Sequence, residues 1–170
     1  MKHFFSIAVL FVIGSIHVAA QVVPIASFRA RNVNDTIVKG EKVCGRITVS
    51  NQFRNTCFMQ DASGGIAIYN LSFRGNVKTG DSVEITGGQL VDFQATTGQP
   101  KSGLSEIAGS QFVFTVIPVA SSVPSPTNTS VQSVSESVEG MLIKLRGVQF
   151  TSTGSFQGDR KSTRLNLQSP

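Results

Sequence analysis

Two thiols, nine scattered carboxylates and no usable imidazole bound the chemistry available between residues 21 and 158. The cysteines are Cys44 and Cys57, and both histidines, His3 and His17, lie in an N-terminal apolar segment. Without a histidine in the rest of the chain, neither a Ser-His-Asp nor a Cys-His site can be assembled. A histidine-ligated metal site is excluded on the same ground. Asp61 and Asp81 are candidate oxygen ligands for Ca²⁺, but neither lies in a dense acidic loop. Ser63-Gly64-Gly65 and Gly87-Gly88 match no phosphate-binding loop and read as a turn and a bulge. No catalytic residue, metal or cofactor is expected, so the fragment is not read as an enzyme.

The cysteines are a candidate disulfide if the chain is exported. A bridge requires both Cβ atoms on one face, about 4 Å apart. Strand alternation puts Cys44 on the outer parity, opposite Val43 and Ile47. Cys57 falls inward with Met59, although Phe58 could take that place instead. The pairing is therefore left open.

The two ends of the chain need separate treatment. Residues 1–20, MKHFFSIAVLFVIGSIHVAA, have the form of a secretory signal peptide. Lys2 and His3 precede an apolar run, and Val18-Ala19-Ala20 places small residues before a cleavage point at Gln21. The run is short for a span of ~30 Å of hydrocarbon. The mature chain is expected to be secreted, periplasmic or at the cell surface, with no membrane contact. At the other end, residues 159–166 read DRKSTRLN. They resemble a translated sequencing adapter, GAT CGG AAG AGC ACA CGT CTG AAC. Leu167-Gln168-Ser169-Pro170 fits the same adapter continued with one base inserted. Native sequence is thus expected to stop near Gly158.

This changes the charge argument. The whole chain carries a formal +5. Setting aside Lys2, Arg160, Lys161, Arg164 and Asp159 leaves 11 bases and 9 acids, or +2. That is not the footprint of a strongly basic nucleic-acid binder. Three Asn-x-Ser/Thr sequons, at Asn34, Asn70 and Asn128, would matter only in a eukaryotic secretory protein.

Between the ends the pattern is β. Residues 42–49 alternate, with Val43, Ile47 and Val49 on one parity. Residues 56–60 and 66–69 predict two further strands around a turn at 61–65. Lys78-Thr79-Gly80-Asp81 predicts another turn, before a long strand over 82–93. Its Gly87-Gly88 pair predicts a bulge or sharp bend. Residues 104–107 and 112–119 supply one or two more strands. Such spacing, with no sustained 3.6-residue period, predicts an all-β domain over 36–119: a five-stranded Greek-key barrel. Residues 21–35 read as a lead-in and 120–130 as a linker. A short helix is expected near 130–136. Val-charged-Gly followed by a strand occurs at both Val38-Lys39-Gly40 and Val138-Glu139-Gly140, so residues 131–158 read as the truncated start of a second similar module.

Three pieces carry a resemblance: Val43 to Thr48, Phe58 to Tyr69 (FMQDASGGIAIY), and Val77 to Val83 (VKTGDSV) with Gly87. Together they resemble an OB-fold module of exported bacterial multidomain proteins. Val138 to Leu145 is similar to the segment following such modules in secreted nucleases of the endonuclease/exonuclease/phosphatase type. It is also similar to segments of surface proteins with C-terminal sorting domains. The resemblance implies stacking aromatics and basic residues on the second and third strands and the nearby loops. In this sequence those are Phe53, Arg54, Tyr69, Phe73, Arg74 and Lys78, with Phe93 beyond them; the alternative is that Phe73 and Phe93 close the ends of the barrel and the arginines are only solvated. Gln60, Asp61, Gly64, Gly65, Gly80 and Asp81 read as turn residues, with Gly64 and Gly65 accepting positive φ.

The expected function is a non-catalytic accessory module. It would hold single-stranded nucleic acid or another polymer for a downstream domain of the same chain. The alternative is a structural or adhesive spacer of a surface protein.

Overall fold

A computed structural model describes residues 19–53, 55–93, 103–150 and 167–168. The apolar N-terminal run, Arg54, and most of the adapter-like tail lie outside the described residues.

The chain opens with β1 (Gln21–Val23) and the short helix α1 (Ile25–Arg29), followed by β2 (Glu41–Val49), β3 (Thr56–Gln60) and β4 (Gly65–Tyr69). A second short helix, α2 (Leu71–Asn76), leads to β5 (Ser82–Phe93) and β6 (Leu104–Ile117). Antiparallel pairing joins β2 to β3 and β3 to β4. β4 then runs parallel to β6, β6 antiparallel to β5, and β5 returns to β2. The ring closes in the order β2-β3-β4-β6-β5. That order is a five-stranded Greek-key barrel of OB topology, with α2 in the connection from its third strand to its fourth. Beyond it, β7 (Thr127–Thr129) pairs in parallel with β8 (Ile143–Leu145), and β9 (Gln149–Phe150) pairs with β10 (Leu167–Gln168).

Alternation fills the interior. Val43, Ile47, Cys57, Met59, Ile66, Ile68, Val83, Ile85 and Ile107 are all buried. The Gly87-Gly88 pair lets β5 bend: the β5–β6 register shifts there, and Gly88 has φ +136°. A Cβ on Gly88 would lie 2.7 Å from Ile107 Cγ2. The bend also moves the inward parity from Ile85 to Leu90.

Several local readings change or are narrowed. The lead-in is structured: β1 pairs with β2, and Ile25 and Phe28 of α1 are fully buried. Residues after β4 form α2 rather than a loop, because Asn70 Oδ1 accepts the Phe73 amide at 2.8 Å and caps it. Residues 104–117 form one strand. Val49 does not share the inward parity of Val43, because a register irregularity between Ile47 and Val49 turns it toward Phe58. The expected helix near 130–136 is two single 3₁₀ turns, Val131–Ser133 and Glu136–Val138.

Candidate binding face

The period of two sorts the side chains of β3 and β4 onto two faces. Cys57, Met59, Ile66 and Ile68 fill the barrel. Thr56, Phe58 and Gln60 of β3 point outward, beside Tyr69, Ala67 and Gly65 of β4 respectively. Phe53, from the loop before β3, meets Phe58 edge to face at 5.6 Å. Phe53 is 54% exposed and Tyr69 47% exposed. Phe58 and Tyr69 are diagonal neighbours, which on paired strands means about 7–8 Å. The result is an aromatic ridge on the outer face of β3–β4.

A strap crosses the upper part of this face. Glu139 pairs with Arg29 of α1, and its Oε1 accepts the Ser105 amide of β6 at 3.2 Å. Gly140 then lies against Gly65 of β4. The Leu142 amide donates to Gln60 Oε1 of β3 at 2.8 Å. Met141 and Leu142 wall a slot of about 220 Å³ with Phe53, Phe58, Thr48 and Val49.

The β3–β4 turn anchors both the face and α1. Asp61 Oδ1 accepts the amides of Ser63 and Gly64 and the Ser63 hydroxyl, at 2.7, 2.9 and 2.6 Å. Asp61 Oδ2 accepts the Ile25 amide at 2.9 Å. Both carboxylate oxygens are thus committed to backbone. In the second turn Asp81 Oδ2 accepts the Lys78 amide at 3.0 Å, and Gly80 takes φ +94°. Gly64 and Gly65 do not adopt positive φ, contrary to the sequence expectation. Gly65 is required by close approach instead: a Cβ there would lie 2.2 Å from the Gly140 carbonyl carbon. Among the described residues no group of three or more His, Cys, Asp or Glu side chains could hold a metal ion.

The expected ligand residues separate. Phe53 and Tyr69 lie on the ridge, together with Phe58, which was not among them. Its outward parity was the available signal, obscured because Cys57 and Phe58 could exchange roles. Phe73 is not on a binding surface: it is fully buried, edge to face with Phe112 and Phe114 at 5.5 and 4.9 Å. As the inward side of α2 it closes the far end of the barrel, and Arg74 beside it is half-buried with its Nε sealed from solvent. Lys78 is exposed in the turn that Asp81 closes, and Arg54 lies outside the described residues.

The cysteines do not pair. Both are free, with Cys57 fully buried and Cys44 partly exposed. Cys44 opposes Glu84 across β2–β5. Cys57 donates to the Ser50 carbonyl at 3.1 Å. The β2–β3 register, Ile47 opposite Met59, sets them about five residues apart, or ~16 Å. That is far beyond bridging distance. Burial pushes the Cys57 thiol up to about 11, and burial also raises the Cys44 thiol. Cys44 floors a separate groove of about 690 Å³ with Arg46, Asp61 and Pro124.

No family model matches the chain, and no curated protein matches it. Solved structures do. A protein from Leishmania major Friedlin, assigned as an aspartyl-tRNA synthetase, is 14% identical with a TM-score of 0.41. The match covers 68% of this chain and 24% of that one. The hypothetical protein ygiW from E. coli is 22% identical with a TM-score of 0.39, over 56% of this chain and 90% of its own. Both likenesses are loose. The OB assignment stands on the strand order and ring closure of this chain.

Proposed function

We propose that the chain is a non-catalytic OB-fold accessory module of an exported multidomain protein. It holds a polymer, single-stranded nucleic acid first among the candidates, for a catalytic domain downstream. The observation that carries this reading is the ridge Phe53–Phe58–Tyr69 on the outer face of a closed OB barrel. Aromatic rings at strand spacing offer stacking platforms to successive bases, each worth about 1–3 kcal/mol. The signal-peptide form of residues 1–20 supports export.

The test is retention of a fluorescein-labelled oligothymidylate at low salt. Phe58→Ala and Tyr69→Ala should each weaken it about tenfold or more. The affinity should also fall as salt rises. No retention by the folded parent at low salt would remove the nucleic-acid reading. The second reading is a structural or adhesive spacer. It is favoured by the strap, which occupies part of the face and engages Arg29 with Glu139. A spacer would show no binding and no effect of the two substitutions.

A further inference from the structure

We propose that residues 136–142 are an intramolecular occupant of the binding face, latched by Glu139 on Arg29, and that a polymer gains the whole β3–β4 track only when this strap lifts. The inference rests on the reading of that face as a binding surface.

The path of the strap is the first argument. It starts at Ser105 on β6, passes over Gly65 on β4 and ends at Gln60 on β3. The strap crosses the strands as two successive tight turns, the 3₁₀ turn Glu136–Val138 and a turn in which the Met141 amide donates to the Val138 carbonyl, and so covers ground that a bound polymer strand would cross. Its chemistry is the second. Arg29 extends from α1, whose Ile25 and Phe28 are locked in the core. Its guanidinium meets the Glu139 carboxylate and the carbonyls of Glu136 and Glu139. A carboxylate there stands where a phosphate of an anionic ligand would be held. Met141 and Leu142 share the walls of the 220 Å³ slot with Phe58, so the strap borders the space a stacked ring would use.

Detachability is the third argument. None of residues 131–148 is buried, and none belongs to the hydrophobic core. A segment with few buried apolar contacts sits at the low end of local stability, so it can open without unfolding the barrel. Displacement needs a ligand that binds the open form better than the closed one. An anionic chain with stackable rings meets that condition, because it replaces Glu139 at Arg29 and fills the slot beside Phe58.

The test uses the full secreted chain and two variants, Glu139→Gln and Gly140→Val. Glu139→Gln removes the latch charge. Gly140→Val places a side chain at φ +69° and against the backbone of Gly65, but alters only the strap. Amide exchange at Leu142 reports docking, and a fluorescein-labelled oligothymidylate reports binding. Both variants should speed Leu142 exchange and tighten oligothymidylate binding about tenfold, equivalent to ~1.4 kcal/mol. If exchange speeds while a measurable affinity stays unchanged or weakens, the strap is no competitor; this proposal falls and the binding reading stands. If exchange is unchanged in both variants, the latch is wrongly assigned. If exchange speeds and neither parent nor variants bind at low salt, the binding reading itself fails and takes this one with it.

Discussion

Gly65 and Gly140 meet backbone to backbone. A Cβ on Gly65 would lie 2.2 Å from the Gly140 carbonyl carbon, and one on Gly140 would lie 2.8 Å from that of Gly65. Gly65→Ala should therefore unseat the strap and leave the barrel closed. Limited proteolysis should cut within residues 131–142 several times faster, while the barrel melts within a few degrees of the parent. Loss of the folded barrel itself would show that Gly65 serves β4 rather than the strap.

Asp61 accepts four hydrogen bonds, three inside the β3–β4 turn and one from the Ile25 amide of α1. Asp61→Ala leaves those donors unsatisfied and should cost about 1–3 kcal/mol in urea unfolding. Asp61→Asn keeps one acceptor oxygen and should cost less. Equal losses for the two variants would point to charge rather than turn geometry.

Phe73 and Phe58 should behave in opposite ways. Phe73→Ala empties the Phe112–Phe114 cluster and should cost about 3–5 kcal/mol. Phe58→Ala removes a half-buried ring from the surface and should cost less than half as much. Chemical denaturation of both variants checks the order.

Glu106 is 3% exposed on β6, between Ala67 of β4 and Val91 of β5, and burial raises its carboxyl to about 7. The folded chain therefore keeps a proton that the unfolded chain releases from about pH 4.5 upward. Its contribution to stability is complete below that pH, declines through about pH 7 and is constant beyond. The loss should be about 1–3 kcal/mol. Glu106→Gln should flatten this decline and raise the melting temperature at pH 8. An unchanged slope in the variant would assign the effect elsewhere.

The two thiols should differ in reactivity. Native protein should take up one equivalent of a soluble thiol reagent, at Cys44, and denatured protein two, because Cys57 is fully buried with its thiol pushed up to about 11. Mass spectrometry locates the label. No labelling of either thiol in the non-reduced, denatured chain would indicate a disulfide after all.

Local chemistry was readable from the residues alone. Alternation over 42–49 and 56–60 marks strands because side-chain direction on a strand depends only on position. The Gly87-Gly88 bend is legible because few other residues tolerate that backbone. Together these features determined an all-β barrel. What the tertiary structure decided depends on partners distant in sequence. α1 is too short to show a period, and its burial comes from docking beside the Asp61 turn. Phe73 and Phe58 look equally suited to stacking, but α2 turns one into the barrel while the β2–β3 register turns the other out. The need for glycine at position 65 lies with Gly140, far along the chain. Only packing brings those two backbones together, because a close contact is a property of pairs and the sequence lists residues one at a time.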